Sequence, residues 1–397
     1  HYPSQNVLGV LAIMPQTDIK KQPVVEISSA KTLAILEKYL PRLKPAVKRN
    51  NRLQITEILS QLAIEVPECE FQGYLLNLKE AVETDRWNKI GDHFLSESFI
   101  HNRIAALIAP YRRRINGEDL IQLTLIGGEV CPHAPASMEK AAIAVFGKLN
   151  QPIPKLILLK IIASEGNISG QEAFIAPGGW MLPNSEQGVS ILCVNLHRQR
   201  YNHSIRQRIQ RIFEPETASL ILSAINDTET IVQEYYQHES GHALGLGLDR
   251  KIQFGLVNTP QQAGLEEFKT DIGGFRIAAE VFSAEDAGKL VACTLNIRWG
   301  IDFCRPGAPL NDHDAISSLL ILDRLLQSGE VYLTGNRLLA LRDVSFEKLF
   351  RATEIHRLEA EELVREELAR LDDPTSIVAF YEGKTAHPDT ILSLIHI

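Results

Sequence analysis

His238-Glu239-Ser240-Gly241-His242 brings together the residue types that zinc chemistry uses. Neutral histidine nitrogens are zinc ligands, and a helix sets residues i and i+4 on one face. Glu239 projects about 100° around the same helix from His238, beside a metal rather than onto it. From there a carboxylate can hold and deprotonate a metal-activated water. With 12 histidines in 397 residues, this pentapeptide arises by accident in roughly a few chains per hundred. Its surroundings must therefore decide between a metal site and two satisfied histidines beside a surface acid.

A catalytic zinc takes three protein ligands and keeps one position open. The best source of the third is Leu265-Glu266-Glu267-Phe268-Lys269-Thr270-Asp271. On a helix Glu267 and Asp271 are neighbours at i and i+4, so one carboxylate can ligate while the other accepts the N–H of a ligand histidine. The expected site is one zinc ion per chain on His238, His242 and Glu267, with Asp271 behind the ligands and Glu239 as general base. Glu266 reads as a solvated acid complementing the helix dipole.

Two helices must present these groups. Asn226 and Asp227 are candidate N-caps, with Glu229 three residues after Asn226. Ile231, Val232, Tyr235, Tyr236 and Ala243 then form an apolar stripe, and Gly245 and Gly247 can close the helix. Thr259 followed by Pro260 predicts a second helix start, with Phe268, Ile272, Phe275, Ile277, Ala278 and Ala279 as its apolar face.

His238–His242 and the Glu266–Asp271 segment resemble the paired zinc motifs of the dipeptidyl-peptidase III family, its bacterial relatives with the shorter histidine spacing above all. Met181-Leu182-Pro183-Asn184-Ser185-Glu186 resembles the family's upstream Leu-Pro-Asn segment, whose asparagine binds the substrate backbone. Ile297-Arg298-Trp299-Gly300, then Asp312-His313-Asp314-Ala315, resembles the region of the family's later histidine, which helps stabilise the transition state. The resemblance thus implies a substrate-binding role for Asn184 and a catalytic one for His313. It also implies two lobes, with the metal on the helical one. Without it, His313 reads as a surface histidine in a helix cap and Asn184 as a turn residue after Pro183. The typical family member has one more residue between its zinc histidines, and often glutamate where this chain has Asp271. No motif marks the family's catalytic tyrosine; Tyr201 lies upstream of the zinc helix without one. Arg298 is open to a substrate carboxylate or to a buried acid.

The expected chemistry is hydrolysis of a peptide bond in short peptides, with Glu239 taking a proton from water and passing it to the leaving amine. A zinc hydrolase or biosynthetic enzyme acting on a non-peptide amide or another small molecule is the alternative, because a fold does not fix a substrate. A non-catalytic, zinc-stabilised binding protein is the third reading; the intact Glu239 argues against it, since a structural site needs no base.

Composition bounds the partners. A net charge of −8 argues against broad nucleic-acid binding. His197–Arg211 holds five arginines and no acid, and reads as a solvated helix face, as do Arg112, Arg113 and Arg114. The five cysteines form no Cys-x-x-Cys, which fits a reducing, cytoplasmic setting, although a removed leader is compatible with a chain beginning at His1. The longest apolar run, near Ile153–Ala163, is broken by Lys155 and Lys160, so no membrane span is expected.

The fold expected is α+β in two lobes: a mixed α/β lobe over 1–200 and a mostly helical zinc-binding lobe over 201–397, with the site in the cleft between. Helices are predicted at Ser28–Leu40 (ended by Pro41), Leu53–Ala63, Tyr74–Ala81, Phe99–Ala109, Ala136–Leu149 and Val344–Leu371. Leu120–Ile126, Lys155–Ala163 and Gln187–Leu196 read as strands, the last offering an edge to an extended peptide.

Overall fold

The computed structural model describes residues 23–67, 69–87, 90, 104–115, 118–131, 136–149, 153, 155–165, 174–175, 189–247, 251, 253–302, 312–370 and 372–384. It is a mixed α+β architecture, mostly helical with a small sheet. Three helices open it: α1 (Pro23–Lys48), α2 (Arg52–Glu65) and α3 (Cys69–Thr84). Asn50 turns the chain at φ 50, and Asn51 then caps α2 by accepting from the Gln54 N–H. Contrary to expectation, Pro41 does not end α1, which runs through both Pro41 and Pro45. An interior proline costs about 3 kcal/mol, and burying one large apolar side chain returns about 1.5–3 kcal/mol. Tyr39, Leu40, Leu43, Ala46 and Val47 are all buried around those prolines, so packing outweighs the loss.

The sheet has the order β1-β2-β3-β5-β4: β1 (Ile104–Ile115), β2 (Glu118–Cys131), β3 (Lys155–Glu165), β4 (Phe174–Ile175) and β5 (Val189–Cys193). Among the described strands of this sheet, β3 and β5 pair in parallel and the other neighbours antiparallel. Two sequence expectations fail here. Residues 104–109, expected to be helical, begin β1, which is an edge strand among the described residues, the place in a sheet where its Pro110 is tolerated. Among the described residues, the strand at 189–193 is paired along one side by β3 and, at Ile191 and Leu192, on the other by β4, so the expected edge for a peptide is already taken there.

β3 and β5 form a wall shared by two cores. Ile157, Leu159, Ile191 and Cys193 face the core built with α1–α3. Leu158 and Leu192, one residue out of phase, face the second core with α4 (Ala136–Phe146). The two-residue side-chain period of a strand produces this division.

The second core is helical. It is built from α5 (Val194–Arg200), a π-turn (Tyr201–Ile205), α6 (Arg206–Ile212), α7 (Pro215–Ser223), α8 (Thr228–His242), α9 (Pro260–Val281) and α10 (Ala284–Ile297). A second π-turn (Arg298–Asp302), α11 (His313–Gln327), the hairpin β6 (Val331–Leu333) and β7 (Leu339–Leu341), α12 (Phe346–Ala352), α13 (Glu354–Ala369) and α14 (Pro374–Lys384) follow. The single helix expected over Val344–Leu371 is broken at Thr353, which closes α12 and opens α13. None of the described helices is long and apolar enough to cross a membrane.

Candidate metal centre

Asp227 caps α8, its carboxylate accepting from the Glu229 N–H. Thr259 and Gln262 close a reciprocal capping box on α9, with Pro260 in its first turn. Both starts follow the sequence reading; Asn226 lies one residue outside, in a 3-10 turn. The two helices then meet at Gly241. A Cβ there would stand 2.5 Å from the Thr270 carbonyl oxygen, closer than real contacts allow. Glycine therefore permits the approach that turns His238 and His242 towards Glu267, Thr270 and Asp271.

The three expected ligands converge. His238 Nε2 and His242 Nε2 are 3.2 Å apart. Glu267 Oε2 lies 3.4 Å from the first, and Oε1 3.6 Å from the second. Zinc bonds of about 2.0–2.1 Å in a tetrahedron imply ligand separations of roughly 3.3 Å, which the two nitrogens and the two Glu267 oxygens approach. The hydrogen bonds behind the rings suit the same arrangement. His238 Nδ1 lies 2.8 Å from Asp271 Oδ1, and His242 Nδ1 lies 3.3 Å from Thr270 Oγ1. With a proton on each Nδ1, both Nε2 lone pairs point at the shared centre. The residues fit a zinc ion. Burial disfavours the charged form of His238, but the Asp271 hydrogen bond and charge outweigh it and lift the imidazole to about 10, so a metal there competes with a proton.

Arg298 is the residue that sequence reading left unassigned. It is nearly fully buried and meets four carboxylates. Nε donates to Asp271 Oδ2 at 2.8 Å, and Nη2 donates to Asp271 Oδ1 at 3.1 Å and Glu267 Oε2 at 3.0 Å. Nη1 donates to Asp302 Oδ2 at 3.3 Å and Asp314 Oδ1 at 2.5 Å. Burial opposes charge on Asp271, yet Arg298 and His238 hold its carboxyl well below the usual range. Ser317 Oγ adds a donor to Asp271 Oδ2 at 3.2 Å. No local spacing announces this cluster, because its members lie on three separate elements.

Glu266 departs from the sequence reading. It is buried rather than solvated, and pairs with Lys251 and, at 3.0 Å, with Lys269. Glu367 of α13 completes the group, 3.2 Å from Lys251 and accepting from the Leu246 N–H at 2.7 Å. Lys269 donates to the Leu244 carbonyl at 3.0 Å, and Glu266 Oε1 comes within 3.5 Å of His242 Nδ1. The turn after the second histidine is thus held from behind. Gly245 enters it at φ +71, where an added Cβ would fall 2.0 Å from Glu367 Oε2.

Glu239 is half-buried on α8, beside His238. His313 opens α11 with its side chain 49% exposed, Nε2 lying 3.8 Å from Asp314 Oδ2. A His313 nitrogen, an Asp314 oxygen and a Glu267 oxygen lie within 4.8 Å of one another, which sets His313 at the edge of the candidate centre. The Arg298 guanidinium already bridges Glu267 and Asp314 there. Tyr201 donates its hydroxyl to the Leu222 carbonyl at 3.1 Å. Asn184 lies outside the described residues. The arginine-rich stretch is interrupted by the first π-turn, and Arg208 donates to the Gly300 carbonyl. Cys193 and Cys293 are buried free thiols.

A family of unknown function, DUF6014, matches residues 42–197, upstream of His238–His242. No curated protein matches the chain. Among solved structures, the DPP III from Caldithrix abyssi superposes with a TM-score of 0.62 at 15% identity, covering 86% of this chain and 67% of that one. The dipeptidyl-peptidase III from Corallococcus sp. strain EGB gives 0.52 at 11% identity, over 86% of this chain and 65% of that one. This chain therefore spans about two thirds of the length of each. At such identities the likeness speaks to architecture: the chain has a dipeptidyl-peptidase III-like fold.

Proposed function

We propose that this chain is a zinc-dependent peptidase acting on short peptides, with one zinc ion held by His238, His242 and Glu267. The observation that carries the reading is the convergence of the two Nε2 atoms and the Glu267 carboxylate at 3.2–3.6 Å, each histidine backed at Nδ1. The dipeptidyl-peptidase III-like fold supports peptides as the substrate class. When bound, zinc would supply Lewis acidity, polarising a substrate carbonyl and lowering the pKa of a bound water towards about 7.

The chain's own residues do the rest. Glu239 takes the proton of the attacking water and returns it to the leaving amine. Asp271 and Thr270 hold the two ligand imidazoles in the tautomer that leaves Nε2 free. His313 stands at the rim to donate to the oxyanion as charge develops. Asn184 aligns the extended substrate backbone.

Metal analysis of protein purified without chelators, alongside Glu239→Ala, tests the proposal. One equivalent of zinc is expected, with hydrolysis of oligopeptide substrates lost in the variant while zinc is retained. Wild-type protein without a tightly bound divalent metal, or undiminished hydrolysis by the variant, sinks it.

A further inference from the structure

Each of the five N–H groups of Arg298 has a carboxylate acceptor. Nε uses one, Nη2 two and Nη1 two, spread over Asp271, Glu267, Asp302 and Asp314. A guanidinium has five N–H groups in one plane, so the fork is saturated. We propose that Arg298 is the positioning residue of the metal centre, a rigid plate that locks the Glu267 carboxylate and the His238–Asp271 pair into one unit and ties that unit to the start of α11. The inference rests on the zinc reading above.

The geometry separates positioning from charge balance. Arg298 holds Glu267 by Oε2, the oxygen that also faces His238 Nε2 at 3.4 Å. It holds Asp271 by both oxygens, and Asp271 Oδ1 is the atom that meets His238 Nδ1. One planar group thus sets the angle of a ligand carboxylate and, through Asp271, the plane of a ligand ring. The contact to Asp314 extends the same plate to the residue beside His313. Arg298 itself sits on the π-turn that follows α10, packed against the first π-turn, where Gly300 leaves no room for a Cβ against Ile205. The plate is anchored on a closely packed element, which positioning requires.

A lysine carries the same charge on a compact ammonium with three donors, and cannot reproduce the fork. If Arg298 only neutralises buried acids, Arg298→Lys preserves the centre. If it positions them, Lys fails. The experiment measures the zinc dissociation constant by chelator competition for wild type and Arg298→Lys, with the absorption spectrum of the cobalt(II)-loaded forms as a report on ligand geometry. Wild type is read first: a wild-type protein that takes up no zinc ends the metal reading itself, independently of Arg298. With zinc bound by wild type, the expected result is a roughly 10- to 100-fold weaker affinity in Arg298→Lys and an altered cobalt spectrum. Affinity and spectrum equal to wild type overturn the proposal. Should Arg298→Lys not fold, Asp314→Ala removes one acceptor at the more open end of the plate. A loss of about three- to tenfold in zinc affinity there supports the proposal, and wild-type affinity overturns it.

Discussion

His238 Nδ1 and Asp271 Oδ1 are 2.8 Å apart, although 33 residues separate them in sequence. The bond fixes the imidazole plane and leaves Nε2 facing His242 and Glu267. Asp271 cannot move to follow the ring, because Arg298 holds both its oxygens and Ser317 donates to one.

Asp271→Asn is expected to weaken zinc binding by roughly 10- to 100-fold, since an amide presents a donor where Arg298 needs an acceptor. Competition with a chelator of known affinity measures this. Zinc affinity unchanged in the variant would show that the histidine needs no charged partner.

The close approach of α8 and α9 is expected to be sensitive to a single methyl group. Gly241→Ala meets the Thr270 carbonyl at 2.5 Å and should cost about 1–3 kcal/mol. Gly73, inside α3, has nothing within 4 Å of a Cβ, so Gly73→Ala should add roughly 0.5–1 kcal/mol. Urea unfolding of the two variants is expected to move in opposite directions; matching shifts contradict the packing argument.

Glu367 lies on α13, 121 residues from the backbone N–H it accepts at Leu246. Glu367→Gln leaves Lys251 and Lys269 with Glu266 as the remaining carboxylate of the quartet, a buried imbalance that should cost about 3–5 kcal/mol. Denaturant titration gives the value. A loss below 1 kcal/mol, roughly that of an exposed ion pair, refutes the buried-network reading.

His197 gives a pH dependence distinct from the metal centre. It is fully buried, neither ring nitrogen has a hydrogen-bond partner among the described residues, and the Tyr235 ring meets it edge-on at 5.9 Å. Burial, with a smaller contribution from Arg200, lowers its pKa from 6.5 to about 4. Between those values the unfolded chain binds the proton and the folded chain does not, so stability falls as the pH drops through that window. The contribution is about 3 kcal/mol, complete near pH 4. His197→Phe should show that much less loss of unfolding free energy between pH 7 and pH 4 than wild type. Parallel profiles for the two proteins count against it.

The helix starts were legible because they depend on short range, and so was the placing of His238 and His242 on one helix face. An i,i+4 pair lies on one helix face whatever surrounds it, and Asp227 and Thr259 cap by bonding N–H groups two and three residues on. Where tertiary packing overrides local preference, the same reasoning failed. Pro41 was absorbed on the exposed side of a helix whose other face is buried, and residues 104–109 became an edge strand through pairing with β2.

What the sequence by itself determined is the local placement of the candidate ligands: two histidines one turn apart on a helix, a glutamate between them, and a carboxylate pair on the next helix. What only the tertiary structure decided is the scaffold that orients them. Glu266 left the surface for a buried ion cluster, and Arg298 was drawn to Glu267, Asp271, Asp302 and Asp314. Arg298 lies 16 to 31 residues from Glu267, Asp271 and Asp314, and Glu367 lies 121 from the Leu246 N–H that it accepts. Their meeting follows from how α8–α11 and α13 pack, and burial then forces every charge to find a partner, a constraint that no local spacing records.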